Sequence, residues 1–261
     1  MIAPELTLIV PTYNEKESVQ PLLVALDIAL AGIAWDVLFV DDSNDGTDQV
    51  LLEIGQTDKR VKVLHRTVNR GGLAGAVVDG LRAAHGTYLC VLDADLQHPP
   101  ERVPSLLATA RAQHADVVIA SRYVPGGDAG GLDGPLRKFY SVGLKRLTLM
   151  TFPRRLSGIT DPLGGYFLLH RSVVQDVLLR PIGYKILLEI LVRCSWKHAA
   201  EVPYAFQLRQ HGESKADFRQ GLRFLQHLAT LALDCSPVFV PVRMASRLGL
   251  SERPSPVRSS P

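Results

Sequence analysis

Cysteine is scarce in this chain of 261 residues, in which Cys90, Cys194 and Cys235 are the three examples. Three is an odd number, and the positions are far apart in the sequence. This usage does not indicate a framework of disulfide bonds. We therefore predict reduced thiols that pack as small hydrophobic side chains in a cytosolic protein.

Long apolar runs are also missing. No stretch of about 18 consecutive apolar residues occurs, so we predict no membrane-spanning helix. The first residues lack the charged-then-apolar pattern of a secretory leader, so none is expected. Charge of one sign is not in large excess either, since the formal net charge is +3. This balance does not favour a nucleic-acid-binding protein, although it allows local basic patches.

The composition that remains is that of a globular protein. Hydrophobic residues make up 46% of the chain and charged residues 21%, as in ordinary folded domains. The length predicts one large domain, with room for a small appendage. After residue 250 the chain is rich in Ser, Pro and Arg, and we predict that residues 251–261 form a disordered tail.

Strand-like and helical patterns alternate through the first 120 residues. Alternation of this kind is typical of an α/β fold, in which a mostly parallel sheet has helices on both faces. Because parallel strands end at the same edge of a sheet, we expect the residues that follow them to share one rim. The predicted strands are 6–10, 36–40, 61–64, 88–92 and 116–120.

The second half is less regular. Residues 125–135 are too rich in glycine for a helix or strand and are predicted to form a loop near the rim. A strand is predicted at 165–169 and an extended segment at 199–208. We expect a catalytic domain over 1–217 and an apolar, amphipathic helical segment over 218–250. The predicted helices of this half are 137–150, 172–179, 184–194 and 218–233.

Two carboxylates follow the strand at 88–92. Asp93 and Asp95 are two residues apart, so in an extended chain they project to the same side. Carboxylates held together repel unless a cation or a proton lies between them. A hard divalent ion, Mg2+ or Mn2+, takes such oxygen ligands and leaves positions for phosphate. The alternative is that both acids are solvated in a turn, because Asp-x-Asp triplets are common.

Other motifs do not fit their usual functions. The acidic run that starts at Asp41 opens like a calcium-binding EF-hand loop, but its twelfth position is Leu52, where a glutamate is needed. The glycines at 71, 72 and 75 do not follow the first strand, as a dinucleotide-binding fingerprint requires. No G-x-x-x-x-G-K-[ST] phosphate loop is present.

Polar residues near the other strand ends are candidates for substrate contacts. Tyr13 could stack on a base or ribose, and Glu15 and Asp42 could accept hydrogen bonds from either. The alternative is that each is an ordinary turn residue. Arginine and lysine can bind phosphate, but a solvated surface charge is the commoner role of such residues. The basic candidates are Arg122, Arg209 and Lys215.

Eight segments carry most of the information when they are taken together. They are Val-Pro-Thr-Tyr-Asn-Glu at 10–15, Val-Asp-Asp-Ser-Asn-Asp-Gly-Thr at 40–47, Asn-Arg-Gly-Gly-Leu at 69–73, Leu-Asp-Ala-Asp-Leu-Gln-His-Pro at 92–99, Ser-Arg-Tyr at 121–123, Asp-Pro-Leu-Gly-Gly-Tyr-Phe at 161–167, Gly-Tyr-Lys-Ile at 183–186 with Glu189, and Arg-x-His-Gly-Glu-Ser-Lys at 209–215. With these motifs the chain resembles the family 2 glycosyltransferases of GT-A fold, in particular the polyprenyl-phosphate (dolichol-phosphate) mannosyltransferases. The resemblance covers about residues 5–217.

The resemblance implies roles for individual residues. Asp93, Asp95 and Arg122 would be catalytic, and Asp93, Asp95 and Gln97 would hold Mg2+ or Mn2+. Arg137 and Ser214 would contact the phosphate of the acceptor. The implied nucleotide-sugar contacts are Pro11, Tyr13, Asn14, Glu15, Asp42, Ala94, Asp95, Gln97, Arg122, Arg209 and Lys215.

The resemblance also implies a reaction. A sugar, with mannose from GDP-mannose as the leading candidate, would move to a polyprenyl monophosphate with inversion at the anomeric carbon. The runner-up is a transferase that uses a UDP-sugar, such as a polyprenyl-phosphate glucosyltransferase. A non-catalytic nucleotide-sugar-binding protein is a remote alternative, and we would expect it to have lost an acid at 93 or 95. A nucleotidyltransferase would instead need a glycine-rich basic turn after the first strand.

The implied acceptor is a membrane lipid. Residues 137–155 and 218–233 could lie at the membrane interface, with basic groups near lipid phosphates. The alternative is that both helices pack on the core. We therefore expect a peripheral protein at the cytoplasmic face of the membrane, and a separate membrane-spanning chain could be its partner.

Overall fold

A computed structural model describes residues 4–130, 135–207 and 218–234. The described chain forms one seven-stranded sheet in the order β3-β2-β1-β4-β6-β5-β7. All neighbouring strands are parallel except β6, which is antiparallel to both β4 and β5. The strands are β1 (Leu6–Thr12), β2 (Trp35–Asp41), β3 (Val61–His65), β4 (Tyr88–Val91), β5 (Val117–Ser121), β6 (Phe167–His170) and β7 (Ala199–Pro203).

Helices cover both faces of the sheet. Strand β1 is buried along its whole length, and its side chains alternate between two cores, as the pleat of a strand requires. Leu8 belongs to the core that contains residues of α1 and α4, while Ile9 belongs to the core that contains residues of α3, α6 and α7. The helices are α1 (Lys16–Ala29), α2 (Thr47–Thr57), α3 (Gly72–Ala83), α4 (Val103–Gln113), α5 (Pro135–Thr151), α6 (Ile186–Arg193) and α7 (Phe218–Asp234).

The topology brings many chain ends to one edge of the sheet. The six parallel strands all finish there, and β6 begins there because it runs in the opposite direction. In open α/β sheets this edge is the usual place for a ligand. The predicted α/β class, the mostly parallel sheet and the shared rim are thus confirmed.

One predicted element is wrong. Residues 172–179 do not form an α-helix, because only a short 3-10 turn, Arg171–Val173, is present there. Asp176 has a φ of 63°, a left-handed conformation that interrupts a right-handed helix. The adjacent β-branched residues Val173 and Val174 also have low helix propensity. The helices predicted at 137–150, 184–194 and 218–233 are confirmed, with shifts of a few residues at their ends.

The predictions on membrane spans and cysteines concern residues that the structure describes in large part. None of the described helices is long and apolar enough to cross a membrane. Cys90 and Cys194 are free and buried, as predicted, and burial raises the pKa of the Cys194 thiol to about 12. Cys235, the tail over 251–261, and positions 131–134 of the predicted loop lie outside the described residues.

Candidate active site

A cavity of about 500 Å³ opens at the carboxyl edge of the sheet. Residues of β1, α3 and α7 line it, together with the segments that follow β1, β2, β3, β4 and β7 and the segment before α6. Two of the lining acids follow β4. The lining residues are Pro11, Thr12, Tyr13, Glu15, Asp42, Asn69, Leu73, Ala76, Asp93, Asp95, Tyr184, Phe206 and Gln220.

The two acids lie in a tight turn just beyond β4. Asp93 and Asp95 both line the cavity, as their spacing predicts. Asp95 is buried, and its Oδ1 accepts a hydrogen bond of 3.0 Å from the backbone N–H of Gln97. Leu96 has a φ of 61°, so the chain reverses sharply there. The turn therefore holds two carboxylates at one end of a buried strand, where hard cations find oxygen ligands.

A buried histidine, His98, holds this turn through a hydrogen bond to its backbone. The Nδ1 atom of His98 accepts a hydrogen bond of 3.0 Å from the backbone N–H of Asp93. The ring stacks on Tyr166 with centroids 5.0 Å apart, and the Tyr166 hydroxyl donates to the carbonyl of Pro99 over 2.9 Å. Burial lowers the pKa of His98 to about 4. The imidazole is therefore neutral near pH 7, with Nδ1 as a hydrogen-bond acceptor.

Substitution of His98 tests this support. His98→Phe keeps an aromatic ring beside Tyr166 but leaves the buried Asp93 N–H without an acceptor, which costs about 1–3 kcal/mol. We expect that loss in the free energy of unfolding, measured by urea denaturation, together with at least a tenfold loss of sugar transfer, the reaction that the resemblance implies. His98→Asn places an oxygen where Nδ1 lies and should retain more of both. Equal behaviour of the two variants would show that the hydrogen bond is unimportant.

Adjacent glycines pack against the acid turn to different degrees. A Cβ at Gly165 would lie 3.2 Å from His98 Cε1 and 4.0 Å from Asp93 Oδ2. At Gly164 the nearest atom would be 3.5 Å away, an ordinary contact. Overpacking of a close contact costs about 1–3 kcal/mol. Gly165→Ala should therefore reduce turnover several-fold in a steady-state assay while Gly164→Ala has little effect. The reverse order would contradict this packing.

The segment after β1 is tied to the segment after β2. Asn14 adopts a φ of 58°, and its backbone N–H donates to Ser43 Oγ over 2.8 Å. Its side-chain oxygen accepts from the backbone N–H of Asn44 over 3.0 Å. These contacts orient Tyr13 and Glu15, which line the cavity. In this structure Asn14 organises the two turns.

Asp42 lines the cavity, and Arg66 holds its carboxylate. Arg66 Nε donates to Asp42 Oδ1 over 2.7 Å, and a second guanidinium nitrogen donates to Oδ2. The same guanidinium reaches Asp79 Oδ2 at 3.1 Å. Bidentate pairing of this kind fixes the carboxylate plane. Sequence reasoning missed Arg66, although a charged residue directly after β3 was an available signal.

Arg122 is paired with another acid at the rim. Its Nε lies 2.8 Å from Asp161 Oδ2, and its Nη2 lies 2.9 Å from Oδ1. Burial opposes the charge on Arg122, but the Asp161 carboxylate raises its pKa above the ordinary value. Backbone N–H groups of Thr160 and Asp161 donate in turn to Glu201. Arg122 therefore anchors the segment that leads into β6, and it is absent from the residues that line the cavity.

Several other predicted site residues lie outside the cavity lining or outside the described residues. Ala94 is fully buried within the acid turn, and the amide nitrogen of Gln97 donates to the carbonyl of Gln207 over 3.1 Å. Arg137 lies in α5, but its side chain is not described. Arg209, Ser214 and Lys215 lie outside the described residues. The roles assigned to all these residues stay predictions.

The acid turn has the right chemistry for a hard cation. Asp93 and Asp95 supply carboxylate oxygens, and the amide of Gln97 follows in the same turn. Within residues 4–130, 135–207 and 218–234, no group of three or more His, Cys, Asp or Glu side chains could hold a metal ion. Two carboxylates with the remaining positions left to phosphate oxygens is a common arrangement for Mg2+.

Sequence reasoning did not assign seven of the residues that line the cavity. Four of them belong to segments that carry the family resemblance, so their motifs were a usable signal: Thr12, Asn69, Leu73 and Tyr184. Ala76 lies about one turn after Leu73 in α3. Phe206 follows a strand end by a few residues. Gln220 comes from the helix predicted to be an appendage, and nothing in the local sequence pattern placed it at the cavity.

Comparison with known proteins agrees with this geometry. Residues 7–178 match the model of glycosyl transferase family 2. A dolichol-phosphate mannosyltransferase of Pyrococcus furiosus is 38% identical over 87% of this chain, which spans 63% of that relative's length. Proteins of the same description from Mycosarcoma maydis and Saccharomyces cerevisiae are 36% and 34% identical, with 79% and 86% of their lengths covered.

Solved structures share the architecture at lower sequence identity. Glucosyl-3-phosphoglycerate synthase from Mycobacterium tuberculosis, in complex with Mn2+, UDP and glucosyl-3-phosphoglycerate, superposes with a TM-score of 0.67. The match covers 89% of this chain and 80% of that one at 20% identity. The likeness shows the fold, and the predicted GT-A fold is confirmed.

Proposed function

Because the chain belongs to glycosyl transferase family 2, we propose that it transfers mannose from GDP-mannose to a polyprenyl monophosphate. The product is a polyprenyl-phosphate sugar. The observation that carries this proposal is the placement of Asp93 and Asp95 inside a cavity at the carboxyl edge of a GT-A sheet. The identity to three dolichol-phosphate mannosyltransferases supports the choice of acceptor and sugar.

Two groups of cavity residues suit the two parts of the donor. Tyr13, Glu15 and Asp42 provide an aromatic ring and two carboxylates for the base and ribose. Asp93 and Asp95 lie where the diphosphate and sugar would follow. Asp42 is held rigid by Arg66, so it would orient hydroxyl groups without rearrangement. Preorganised groups of this kind favour the reactive geometry.

Asp93, Asp95 and Gln97 are the residues that would hold Mg2+ or Mn2+. When bound, the cation acts as a Lewis acid and neutralises charge on the departing diphosphate. The protein's own contribution is to keep the two carboxylates oriented. His98 does this through the backbone of Asp93, and Gln97 does it through the side chain of Asp95.

The nucleophile needs little activation. A phosphate monoester is already ionised near pH 7, so its oxygen can attack without a general base. His98 is consistent with this, because its Nδ1 is occupied by the Asp93 N–H. One direct displacement forms the bond from C1 to the acceptor oxygen while the bond from C1 to the diphosphate breaks. It therefore converts an α-linked donor into a β-linked product, whose configuration can be read by NMR.

The lipid acceptor places the protein at a membrane surface. We propose peripheral attachment at the cytoplasmic face through α5 and the 218–250 segment. On α7, Leu222 and Leu233 are exposed, as is Met150 on α5, and such side chains favour interfacial insertion. A membrane-spanning partner chain could assist. Sedimentation with anionic liposomes tests the attachment, which an unbound protein would contradict.

A donor screen tests the function. The purified chain is incubated with polyprenyl phosphate, Mg2+ or Mn2+, and each of GDP-mannose, UDP-glucose and other UDP-sugars, and the lipid product is quantified. We expect GDP-mannose to give the fastest transfer. Preference for a UDP-sugar would move the assignment to the runner-up, a polyprenyl-phosphate glucosyltransferase. Nucleotide-sugar binding without transfer would instead indicate a non-catalytic binding protein.

A further inference from the structure

Lys185 is a charged side chain beside the cavity, and the proposed mechanism assigns it no role. It directly follows Tyr184, which lines the cavity. Its Nζ donates to the carbonyl of Leu163 over 2.8 Å and lies 4.6 Å from the centroid of the Tyr184 ring. An ammonium group has three N–H donors. Leu163 is its only hydrogen-bond partner among the residues that the structure describes, so donors remain for a ligand.

The two acids that act on Lys185 each have, or would have, another cation as a partner. Arg122 lies nearby, but its charge is matched by the bidentate pair with Asp161. Asp93 is the other acid that acts on Lys185. Burial lowers the pKa of Lys185 to about 8, which leaves it mostly protonated near pH 7. A cation bound by Asp93 would neutralise that carboxylate. The Lys185 ammonium group would then be available to pair with an anion.

The position of Lys185 separates it from the donor's nucleotide. Tyr13, Glu15 and Asp42 follow β1 and β2, whereas Lys185 lies just before α6 and reaches the turn that leads into β6. In that turn, Gly165 packs near the Asp93 carboxylate. In the sheet order, β6 lies on one side of β4, and β1 and β2 lie on the other. Lys185 therefore contacts the segment on the side of β4 away from the strands that precede the proposed nucleotide contacts. A direct displacement needs the attacking group on the side of the sugar away from the diphosphate.

We propose that Lys185 Nζ contacts a phosphate oxygen of the lipid acceptor and holds it beside the sugar. This inference rests on the proposed function and adds a specific acceptor contact to it. The lysine keeps its proton throughout. The acceptor oxygen supplies the electron pair for the new bond to C1, and the nucleoside diphosphate leaves with the electron pair of the old bond.

Steady-state kinetics of three variants test the contact. Lys185→Met removes the charge at similar length, Lys185→Arg keeps it, and Lys197→Met is a matched control at an exposed lysine. We expect Lys185→Met to raise the KM for polyprenyl phosphate about ten- to a hundredfold, the usual effect of a lost charged hydrogen bond. The KM for GDP-mannose and the rate of donor hydrolysis without acceptor should stay within about twofold. Lys185→Arg should recover part of the loss.

Other outcomes would overturn the inference in different ways. An unchanged acceptor KM in Lys185→Met would refute the contact. Parallel losses of hydrolysis and transfer would mean that Lys185 only supports the turn at Leu163. A wild-type chain that transfers nothing to polyprenyl phosphate would refute the proposed function itself, whereas an active wild type with an insensitive Lys185→Met refutes the contact alone.

Discussion

Asp95→Asn should lower the rate of sugar transfer about a thousandfold or more. The substitution preserves the shape of a buried side chain but removes one of the two carboxylates in the turn after β4. A metal ion that neutralises a leaving group supplies several kcal/mol of transition-state stabilisation, and about 1.4 kcal/mol corresponds to a tenfold change in rate. Radiolabelled donor and polyprenyl phosphate give the measurement over this range.

Ligand-induced stabilisation provides a readout that does not depend on turnover. Wild-type protein should melt at a higher temperature when Mn2+ and GDP are added together, because ligands that bind only the folded state stabilise it. Asp95→Asn should lose most of this shift and keep its melting temperature without ligand. Asp48→Asn, a change at an acid in α2 outside the cavity lining, is the control. Undiminished transfer by Asp95→Asn would remove the basis of the proposed site.

Glu189→Leu should destabilise the fold by about 3–5 kcal/mol. Glu189 Oε2 lies 2.7 Å from His227 Nε2, with both side chains fully buried, and Oε1 lies 2.7 Å from Arg193 Nε. Loss of one member of a buried pair leaves the other without compensation. The unfolding free energy from urea titration measures the effect. The double variant Glu189→Leu/His227→Leu should lose less, because the buried imidazole is then removed together with its carboxylate partner.

A more exposed ion pair of the same arginine gives the control. Arg193 also pairs with Asp234 at 2.6 Å, where the Asp234 side chain is 44% exposed. Exposed pairs contribute about 0–1 kcal/mol, so Asp234→Asn should have a small effect. If the single and double changes at Glu189 and His227 cost the same, the buried pair is not the cause.

The buried pair of Glu189 and His227 makes the free energy of unfolding depend on pH. Burial raises the pKa of Glu189, but hydrogen bonds from His227 and the Arg180 backbone outweigh it, so the pKa is lowered overall. A depressed pKa gives stability that is present above the pKa of the unfolded carboxyl, near about 4.3. That stability is lost as pH falls through the pKa that Glu189 has in the folded protein. Unfolding titrations between pH 7 and 3 should show this slope in wild type and a shallower one in Glu189→Gln.

The sequence was sufficient to predict the position of the site residues that directly follow strands. Asp93 and Asp95 follow a short apolar run, so strand register alone places both carboxylates on one side. Tyr13 and Asp42 follow two other apolar runs, and parallel pairing brings them to the same edge. Each of these predictions needed only the period of a strand and the direction of its neighbours.

Contacts between distant segments were not accessible in this way. Lys185 meets the turn at Leu163, and Gln220 reaches the cavity from the last described helix. No periodic pattern encodes such meetings, because they depend on how α6 and α7 pack. His98 shows the same limit, since a histidine after an acidic turn has many possible partners. The 172–179 error is local: its apolar spacing suits a helix, but Asp176 leaves the right-handed region.

The reversed strand β6 divides the molecule's tasks. Tyr13 and Asp42 follow β1 and β2, whereas the long stretch between β5 and β6 returns with Gly165 near Asp93. Under the proposed function, changes in that stretch would affect the acceptor side and leave the proposed nucleotide contacts after β1 and β2 unchanged. Donor and acceptor preferences could then vary separately within one fold.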